Sequence, residues 1–320
     1  MVISLHRPYV GAQFMKVRIA VILPMILLLL SSGFFGGIIS AARATTPADL
    51  YIDGQPTPYK QLKYKNRMEN MIPLRTVTSQ LKMKLTWVKK NSEWTLSGDF
   101  HRITMKLNDL TATVDGKVYK LNAPPLIEKG TIYLPLRFTV TMSGGELHWD
   151  RDHIYWVLSP LQKALNSAII GNDVEYVRQH LTNWRSAALP LGVDGTMPYL
   201  FSVQSLDMVK LLIEKGFPVD YMKNEYASLT FNNWQRTLLQ EAASLGQFEV
   251  VAYLLNQGAG PFLSNSHHYN ALDYAQWGKQ QLQENALWIE LSIELGKDIT
   301  EENYNKTIDL LKAHMEQISG

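Results

Sequence analysis

Two stretches of the chain carry residue types that could do chemistry. Ser79 and Lys82 fit the S-x-x-K pattern, which in some acylating enzymes places a lysine one helical turn from a nucleophilic serine. The S-D-N and K-T-G motifs that complete such a site do not follow in this sequence. We therefore do not expect this motif to be catalytic.

The second set of ligand-type side chains surrounds one short turn. His148 and His153 flank the segment Trp149-Asp150-Arg151-Asp152, and imidazole and carboxylate groups could together hold a metal ion for hydrolysis. The other interpretation is a solvated turn in which the aspartates set the bend. We favour the turn, so the sequence predicts no catalytic residue, no metal site and no cofactor.

Two aspartates and two arginines recur at matching places and have structural interpretations. Asp53 and Asp115 each precede a glycine, as in the Asp-Gly turns of tight hairpins. Arg75 and Arg137 each follow a Pro-Leu pair. We expect these arginines to bind carboxylates or backbone carbonyls nearby rather than a ligand.

Aromatic residues in two loops of the C-terminal half are the candidate contacts for a partner. Large aromatic side chains on loops make good anchors, because they bury much area at little cost in side-chain entropy. The candidates are Tyr226, Phe231, Trp234, His267, His268 and Tyr269. The alternative for the first three is that their loop folds back and its aromatic rings fill a gap.

Composition limits the classes of protein that this chain can be. With 320 residues, 46% of them hydrophobic, it is long enough for two domains with full cores. Its 31 basic and 29 acidic residues give a net charge of +2, which offers no general case for nucleic acid binding. The chain has no cysteine, which excludes disulfides, thiolate metal sites and cysteine nucleophiles.

The N-terminus has the pattern of an export signal. Lys16 and Arg18 precede the apolar run Ile19–Leu30, and Ala42-Arg43-Ala44 forms a small-x-small cleavage site. The alternative is an uncleaved anchor, since the apolar run continues far enough to span a bilayer. Both interpretations place the chain after Ala44 outside the cytoplasm, in the extracellular space or on the cell surface.

Residues 45–159 contain an internal repeat whose two copies align at one constant offset, without gaps. The matched pairs include the two Asp-Gly turns, the two Pro-Leu-Arg segments, Trp87 with Trp149, and Trp94 with Trp156. Each copy has the pattern strand, turn, strand, short helix and hairpin. Lys82 stands where the second copy has the helix-ending Gly144, so it must either adopt a costly left-handed conformation or end the helix differently.

Residues Thr237 to Gly258 have the pattern of a helical hairpin. One apolar stripe ends at Gly246, and a second runs from Phe248 to Leu255. Each glycine supplies the left-handed residue that ends a helix. Such a hairpin cannot bury its apolar faces alone, so it predicts a stack of similar units.

Four units can be aligned in the C-terminal half, and the first of them is expected to pack on the β module. The aligned positions are Lys163, Thr196, Thr237 and Asn270, of which the middle two are separated most. That larger separation reflects an insertion at Val219–Arg236. A last helix, Glu301–Ile318 with Thr300 as N-cap, is expected to cap the stack. It would bury Tyr304, Ile308, Leu311 and Met315.

The sequence therefore predicts a multidomain protein. Residues 1–44 would be a signal peptide or membrane anchor, and residues 45–159 a tandem duplicated α+β module built mostly of antiparallel strands. Residues 160–298 would form an all-α solenoid, and residues 299–320 its capping helix.

Both halves resemble known families. Residues 45–159 resemble the copper amine oxidase N-terminal-like domain, also called a stalk domain, commonly found in pairs on exported proteins of Gram-positive bacteria. The resemblance rests on the Asp-Gly turns, on Lys129-Gly130 through Arg137, and on Gly144 to Asp150. It implies a spacer or cell-surface module, and neither copper nor oxidase activity, because that chemistry belongs to a different domain. Thr237–Gly258 resembles an ankyrin repeat, with Leu238 in place of the usual proline and Gln240 in place of the histidine.

These resemblances imply a non-enzymatic, exported or cell-surface binding protein whose stalk module presents an ankyrin-like array. The partner would be an unidentified protein that contacts the loop tips and inner groove of the array. The alternatives are recognition of cell-wall glycan by the tryptophan-rich β module, a metal-dependent hydrolase at His148 and His153, and an inhibitor- or immunity-type partner of a secreted enzyme. We expect no nucleic acid partner, and membrane contact only through the N-terminal segment if it is retained.

Overall fold

The computed structural model describes residues 50–88, 93–149, 155–192, 195–222, 236–265, 268–285 and 299–320. Within these residues the chain divides into two compact units: an N-terminal unit, residues 50–199, and a C-terminal unit, residues 200–222 and 236–320. Across the described ranges, every helix is too short or too polar to cross a bilayer. The expected signal peptide or anchor at residues 1–44 lies outside the described residues.

The N-terminal unit begins with short strands and two short helices. The helices α1 (Leu74–Gln80) and α2 (Leu136–Met142) each begin directly after a proline. The strands are β1 (Leu50–Ile52), β2 (Gln55–Pro56), β3 (Lys60–Tyr64), β4 (Arg67–Pro73), β5 (Lys84–Val88), β6 (Glu93–Ser97), β7 (Arg102–Lys106), β8 (Thr111–Val114), β9 (Lys117–Lys120), β10 (Leu126–Glu128), β11 (Thr131–Pro135), β12 (Glu146–Trp149) and β13 (Tyr155–Leu158).

These strands form three sheets, with the orders β12-β13-β1-β2, β10-β11-β4-β3 and β5-β6-β7-β8-β9. Neighbouring strands are antiparallel except for β1 and β13, which run parallel with Leu50 opposite Tyr155. The mostly antiparallel architecture that the sequence predicted is confirmed.

The two sequence copies exchange strands with each other. The hairpin β5-β6 of the first copy lies in one sheet with β8 and β9 of the second copy, and β12-β13 of the second copy lies beside β1 and β2 of the first. The remaining sheet takes two strands from each copy. One apolar core, which includes Leu50, Trp94, Leu134 and Val157, serves both copies. Neither copy therefore forms a domain of its own.

The turns of the β module follow the sequence closely. Asp115 and Gly116 have φ values of 48° and 82°, which confirms the hairpin turn with two left-handed residues. Gly144, after α2, has φ 94°, and Lys82, at the matching place after α1, has φ 56°. Of the two outcomes considered for Lys82, the chain adopts the left-handed one, which costs a residue with a β-carbon about 1–2 kcal/mol.

A helical hairpin completes the N-terminal unit with α3 (Pro160–Ile170), α4 (Val174–His180) and a 3₁₀ turn (Trp184–Ala188). Helix α3 packs on β13, and the Trp156 indole Nε1 donates to the Pro190 carbonyl at 3.0 Å. Lys163, the position aligned with Thr237 in this unit, lies at the end of the first turn of α3. The helix begins one turn earlier because Ser159 is the N-cap, accepting from Gln162 N at 3.2 Å, and Pro160 occupies the first turn.

The C-terminal unit is a stack of helices. Its helical elements, with α5 at the boundary, are α5 (Pro198–Phe201), a 3₁₀ turn (Ser202–Gln204), α6 (Leu206–Glu214), α7 (Leu238–Ser244), α8 (Phe248–Asn256), α9 (Ala271–Glu284) and α10 (Glu301–Ser319). Helix α7 lies between the 3₁₀ turn and α9 in one row, and α8 lies between α6 and α10 in the other. This arrangement confirms the predicted solenoid, although the first helix of the second unit, expected after Thr196, is only one turn long.

Helix caps mark the start of the units. Thr237 and Asn270 are the N-caps of α7 and α9, and each forms a capping box with the residue three positions later. Thr300 caps α10 as predicted. The burial predicted for α10 is right for Tyr304 and Leu311, but Ile308 and Met315 are only half-buried, and the buried face includes Thr307 instead. Helix α10 therefore packs on the stack mainly through its N-terminal turns.

Two glycines allow Tyr304 to pack closely in the stack. The Tyr304 hydroxyl donates to the Ser244 carbonyl at 2.8 Å. A β-carbon on Gly278 would collide with the Ser244 carbonyl oxygen and lie 2.8 Å from the Tyr304 ring, while Gly246 contacts the same ring. Helix α9 therefore approaches the end of α7 with backbone against backbone.

Candidate functional site

The loop between α8 and α9, residues 259–270 and here called the finger, contains three of the six predicted contact residues, and the structure describes two of them. His268 and Tyr269 lie in it, and both are exposed. The other four, Tyr226, Phe231, Trp234 and His267, lie outside the described residues.

Gln240 holds both arms of the finger. Its side-chain Nε2 donates to the Leu263 carbonyl at 2.8 Å and to the Tyr269 carbonyl at 3.3 Å, while its Oε1 accepts from Thr237 N at 3.0 Å. The side chain is almost fully buried in α7. One rigid amide therefore fixes the finger relative to the helices.

Asn265 braces the finger from inside. Its Nδ2 donates to the Tyr274 hydroxyl at 2.6 Å, and its Oδ1 accepts from Tyr269 N at 3.2 Å. Its carbonyl accepts from His268 N at 2.9 Å, with His268 in the left-handed region at φ 64°. At the base of the finger, Gly260 N donates to Asp220 Oδ1 at 2.9 Å. These bonds fix the finger backbone at several points.

The finger exposes apolar side chains on this fixed backbone. Phe262, Leu263 and Tyr269 are 48%, 36% and 44% exposed. Phe262 and Leu263 were not among the contact residues predicted from the sequence. The signal that could have found them is two large apolar residues inside a turn-rich loop of a helical array, where no helical stripe needs them. Preorganised aromatic and aliphatic side chains of this kind can bury area on a partner at little entropic cost.

A buried ion pair lies under the finger. Arg236 Nη1 donates to Glu241 Oε2 at 2.8 Å, and both side chains are nearly inaccessible. The Arg236 guanidinium also stacks on the Tyr274 ring at 4.4 Å. Burial raises the pKa of the Tyr274 hydroxyl, with the nearby guanidinium opposing it. The tyrosine is thus kept protonated and structural, and the cluster fixes α7 to α9.

In the β module, two exposed tryptophans occupy matching positions on edge strands. Trp87 on β5 is 41% exposed and Trp149 on β12 is 51% exposed. The Trp87 ring stacks on buried Trp94 at 5.4 Å, and the Arg137 guanidinium stacks on Trp149 at 4.1 Å. Among the described residues, the contact found for the Arg137 guanidinium is this aromatic ring, and its expected binding of carboxylates or carbonyls stays a prediction. Arg75 is exposed.

Within the described ranges, the structure does not gather the chemical motifs into a reactive site. Helix α1 ends at Gln80, so Lys82 does not lie one helical turn from Ser79 on the same helix. The two Asp-Gly carboxylates bind backbone: Asp53 Oδ1 accepts from Ser159 N at 2.7 Å, and Asp115 Oδ1 from Arg102 N at 2.9 Å.

His148 belongs to a small polar contact in the N-terminal unit. Its Nε2 lies 3.2 Å from Glu146 Oε1, and its ring packs on Gly192. The contact with His148 and the charge of Lys163 lower the pKa of Glu146, although burial opposes this shift. Its proposed metal-binding partners Asp150, Asp152 and His153 lie outside the described residues, and the part of the chain that is described holds no cluster of three or more His, Asp or Glu suited to a metal ion.

Family comparisons agree with this geometry. Residues 51–155 match the family model of the copper amine oxidase N-terminal domain, and residues 234–266 match that of the ankyrin repeat. No curated protein matches the chain. Both suspected domains are therefore present, and neither is a catalytic domain. The ankyrin match covers α7, α8 and the first part of the finger.

Proposed function

We propose that this chain is a non-enzymatic, exported binding protein in which a stalk module presents an ankyrin-type array to a protein partner. The partner binds the finger, and its main contacts are Phe262, Leu263 and Tyr269. The observation that supports this proposal is the combination of exposed apolar side chains with a backbone held by Gln240 and Asn265. An ankyrin repeat supports protein–protein interaction in general.

Export is part of the proposal. Lys16 and Arg18 before an apolar run, followed by Ala42-Arg43-Ala44, favour passage through a membrane. Proteolysis of intact cells that produce the full chain tests this step. We expect an external protease to digest the chain while a cytoplasmic marker stays intact, and protection of both would contradict export.

Site-specific cross-linking tests the binding site. A photoreactive phenylalanine analogue at Phe262 or at Tyr269, in the full chain and in its native cells, should give a discrete adduct that a protease removes. The matched control is the same analogue at Ile318, which is 57% exposed in the same unit. Equal adducts from the three positions, or none from the finger, would contradict the proposal.

A second variant tests preorganisation. Asn265→Ala removes the brace inside the finger but leaves Phe262 and Tyr269 in place, so we expect weaker adducts at both positions. Ser264→Ala, an exposed neighbour, is the control and should leave the adducts unchanged.

A second candidate function is stacking of cell-wall glycan on the β module. The observation in its favour is that each sequence copy has an exposed tryptophan whose ring stacks on another side chain. Trp87 stacks on Trp94, and the Arg137 guanidinium stacks on Trp149. Trp87→Ala with Trp149→Ala should then abolish sedimentation with purified cell wall. Phe100→Ala, at a 50% exposed aromatic, is the control. Unchanged sedimentation of the double variant would rule this function out.

A further inference from the structure

The β3-β4 hairpin ends in a basic tip, defined here as residues 63–68. Lys63, Lys65 and Arg67 are exposed there, and Met68 is 59% exposed. Lys63 lies directly across the strand pair from Met68, and Lys65 Nζ lies 5.5 Å from the centre of the Tyr64 ring. The tip thus combines three cations with an apolar and an aromatic side chain.

In the part of the chain that the structure describes, no ion pair neutralises the cations of the tip. Lys60, at the base of the hairpin, pairs with Glu128. Among the described residues, the ion pairs found do not include Lys63, Lys65 or Arg67. Glu69 is the only acidic residue of the two strands, and it lies across from Leu62 rather than from a cation.

The tip is held on a fixed base. Gln61 Nε2 donates to Asn70 Oδ1 across the hairpin at 3.1 Å, and Asn70 Nδ2 donates to the Tyr155 hydroxyl at 2.7 Å. These bonds join the hairpin to the rest of the N-terminal unit, so the tip can dock without first becoming ordered.

The distribution of charge along the chain also favours the β module as the part that contacts an anionic ligand. Residues 50–158 contain 16 Lys and Arg against 10 Asp and Glu, whereas residues 160–320 contain 11 against 18. An anionic surface would therefore attract the β module and repel the helical array.

We propose that the basic tip docks on an anionic phospholipid surface, with Lys63, Lys65 and Arg67 against the headgroup phosphates and Met68, which lies on the same face of the hairpin as Lys63, at the boundary with the acyl chains. The apolar side chain favours a bilayer over a soluble polyanion, because Met68 gains nothing from a purely ionic ligand. Each basic residue near such a surface strengthens binding roughly fivefold, so the three together give roughly a hundredfold preference for anionic over neutral bilayers. This site is independent of the finger.

The absence of cysteine in the chain allows a site-specific test in the full protein. A polarity-sensitive dye is attached through Asn66→Cys, in the tip, or through Val118→Cys, a 71% exposed control position in the same unit. The probes are vesicles of pure phosphatidylcholine, vesicles of phosphatidylcholine mixed with anionic phosphatidylglycerol, and soluble polyphosphate. Because the dye reports on its own surroundings, insertion of the N-terminal apolar segment does not mimic the signal.

We expect the dye at position 66 to shift to shorter wavelength and become shielded from iodide with anionic vesicles only, and the shift to vanish at high salt. Combining Lys63→Gln, Lys65→Gln and Arg67→Gln should weaken the response roughly a hundredfold, by the same fivefold per cation. The charge-matched control combines Lys84→Gln, Lys106→Gln and Lys120→Gln and should keep the response. Equal responses at positions 66 and 118, an equal response to neutral vesicles, or the same shift with polyphosphate would overturn the proposal.

Discussion

Ile72 and Leu134 lie directly opposite each other in the β4-β11 pair, and each is the other's counterpart in the sequence repeat. On either side, Pro73 faces Tyr133 and Met71 faces Pro135, so the pairing is symmetric about this one pair. A local two-fold axis therefore passes between the two side chains. Both side chains are fully buried, and the two copies contribute equivalent residues to this contact.

Ile72→Ala should destabilise both copies together. Removing a buried isoleucine costs about 2–5 kcal/mol in free energy of unfolding, and the shared core should transmit that loss to all three sheets. Hydrogen exchange should show amides of β6–β8 and of β12–β13 losing protection equally. Ile127→Ala, at a 53% exposed position of the same sheet, is the control and should cost little. Loss of protection in the first copy alone would show that the copies fold separately.

Lys82→Gly should stabilise the β module. Lys82 has φ 56°, and glycine removes the steric cost of that conformation while adding freedom to the unfolded chain, for a net gain of about 0.5–1 kcal/mol. Lys82→Ala removes the same charge but keeps a β-carbon, so it separates the backbone effect from the charge effect. We expect it to change the free energy of unfolding little. Gly144→Ala should destabilise, since φ is 94° and a β-carbon would lie 3.3 Å from that of Phe100. Chemical denaturation measures all three, and a gain with alanine equal to that with glycine would contradict the explanation.

Asp53→Asn should keep or raise stability at neutral pH. Burial raises the pKa of Asp53 above its usual 3.8, although hydrogen bonds from Ser159 oppose this. The folded chain therefore binds the proton more tightly than the unfolded chain, so this group favours folding most below pH 3.8 and loses that contribution as pH rises through the folded pKa. Asparagine keeps the acceptor for Ser159 N and tolerates the left-handed backbone, so it should flatten this dependence.

Two variants control the Asp53 prediction. Asp53→Ala loses the hydrogen bond and should cost about 1–3 kcal/mol. Asp115→Asn should have the opposite effect on pH dependence, because the bonds from Arg102 N and His101 lower the pKa of Asp115. Its contribution is present above pH 3.8 and is lost as pH falls through the folded pKa. Identical pH profiles for the two asparagine variants would contradict the assignment.

Gly278→Ala should destabilise the C-terminal unit by several kcal/mol. A β-carbon there would collide with the Ser244 carbonyl at the end of α7 and push on Tyr304 in α10, so α9 would have to move away from both helices. Gly258→Ala is the matched control: its φ of 86° is strained for alanine, but nothing lies within 4 Å of the new carbon. It should cost only about 1–2 kcal/mol. Thermal unfolding followed by helical circular dichroism compares the two, and equal losses would show that packing at Gly278 is not tight.

The sequence was sufficient for local structure. The Asp-Gly turn at Asp115 and the cap at Thr300 are set by residues a few positions apart, and the structure has them as predicted. The start of α3 is set in the same way, by the nearby cap at Ser159.

The longer-range features could not be predicted in the same way. The internal repeat states which segments are alike, but β6 can pair equally well with strands of its own copy or of the other, and only packing decides. The close approach of Gly278 to the Ser244 carbonyl could not be predicted either, because a glycine inside a helical pattern does not indicate which residue packs against it. In the finger, the sequence marked Tyr269 but not Phe262, because exposure depends on how the loop is held.

The parallel pair β1-β13 also has a mechanical consequence. The chain enters the β module at Leu50, beside Tyr155, and leaves it beyond Leu158, at the opposite end of the same strand pair. A force that pulls these two points apart slides one strand along the other, so bonds such as that from Asp53 N to Val157 O bear the load together. Under tension, the β1-β13 hydrogen bonds would be loaded in shear and would have to break together rather than one after another.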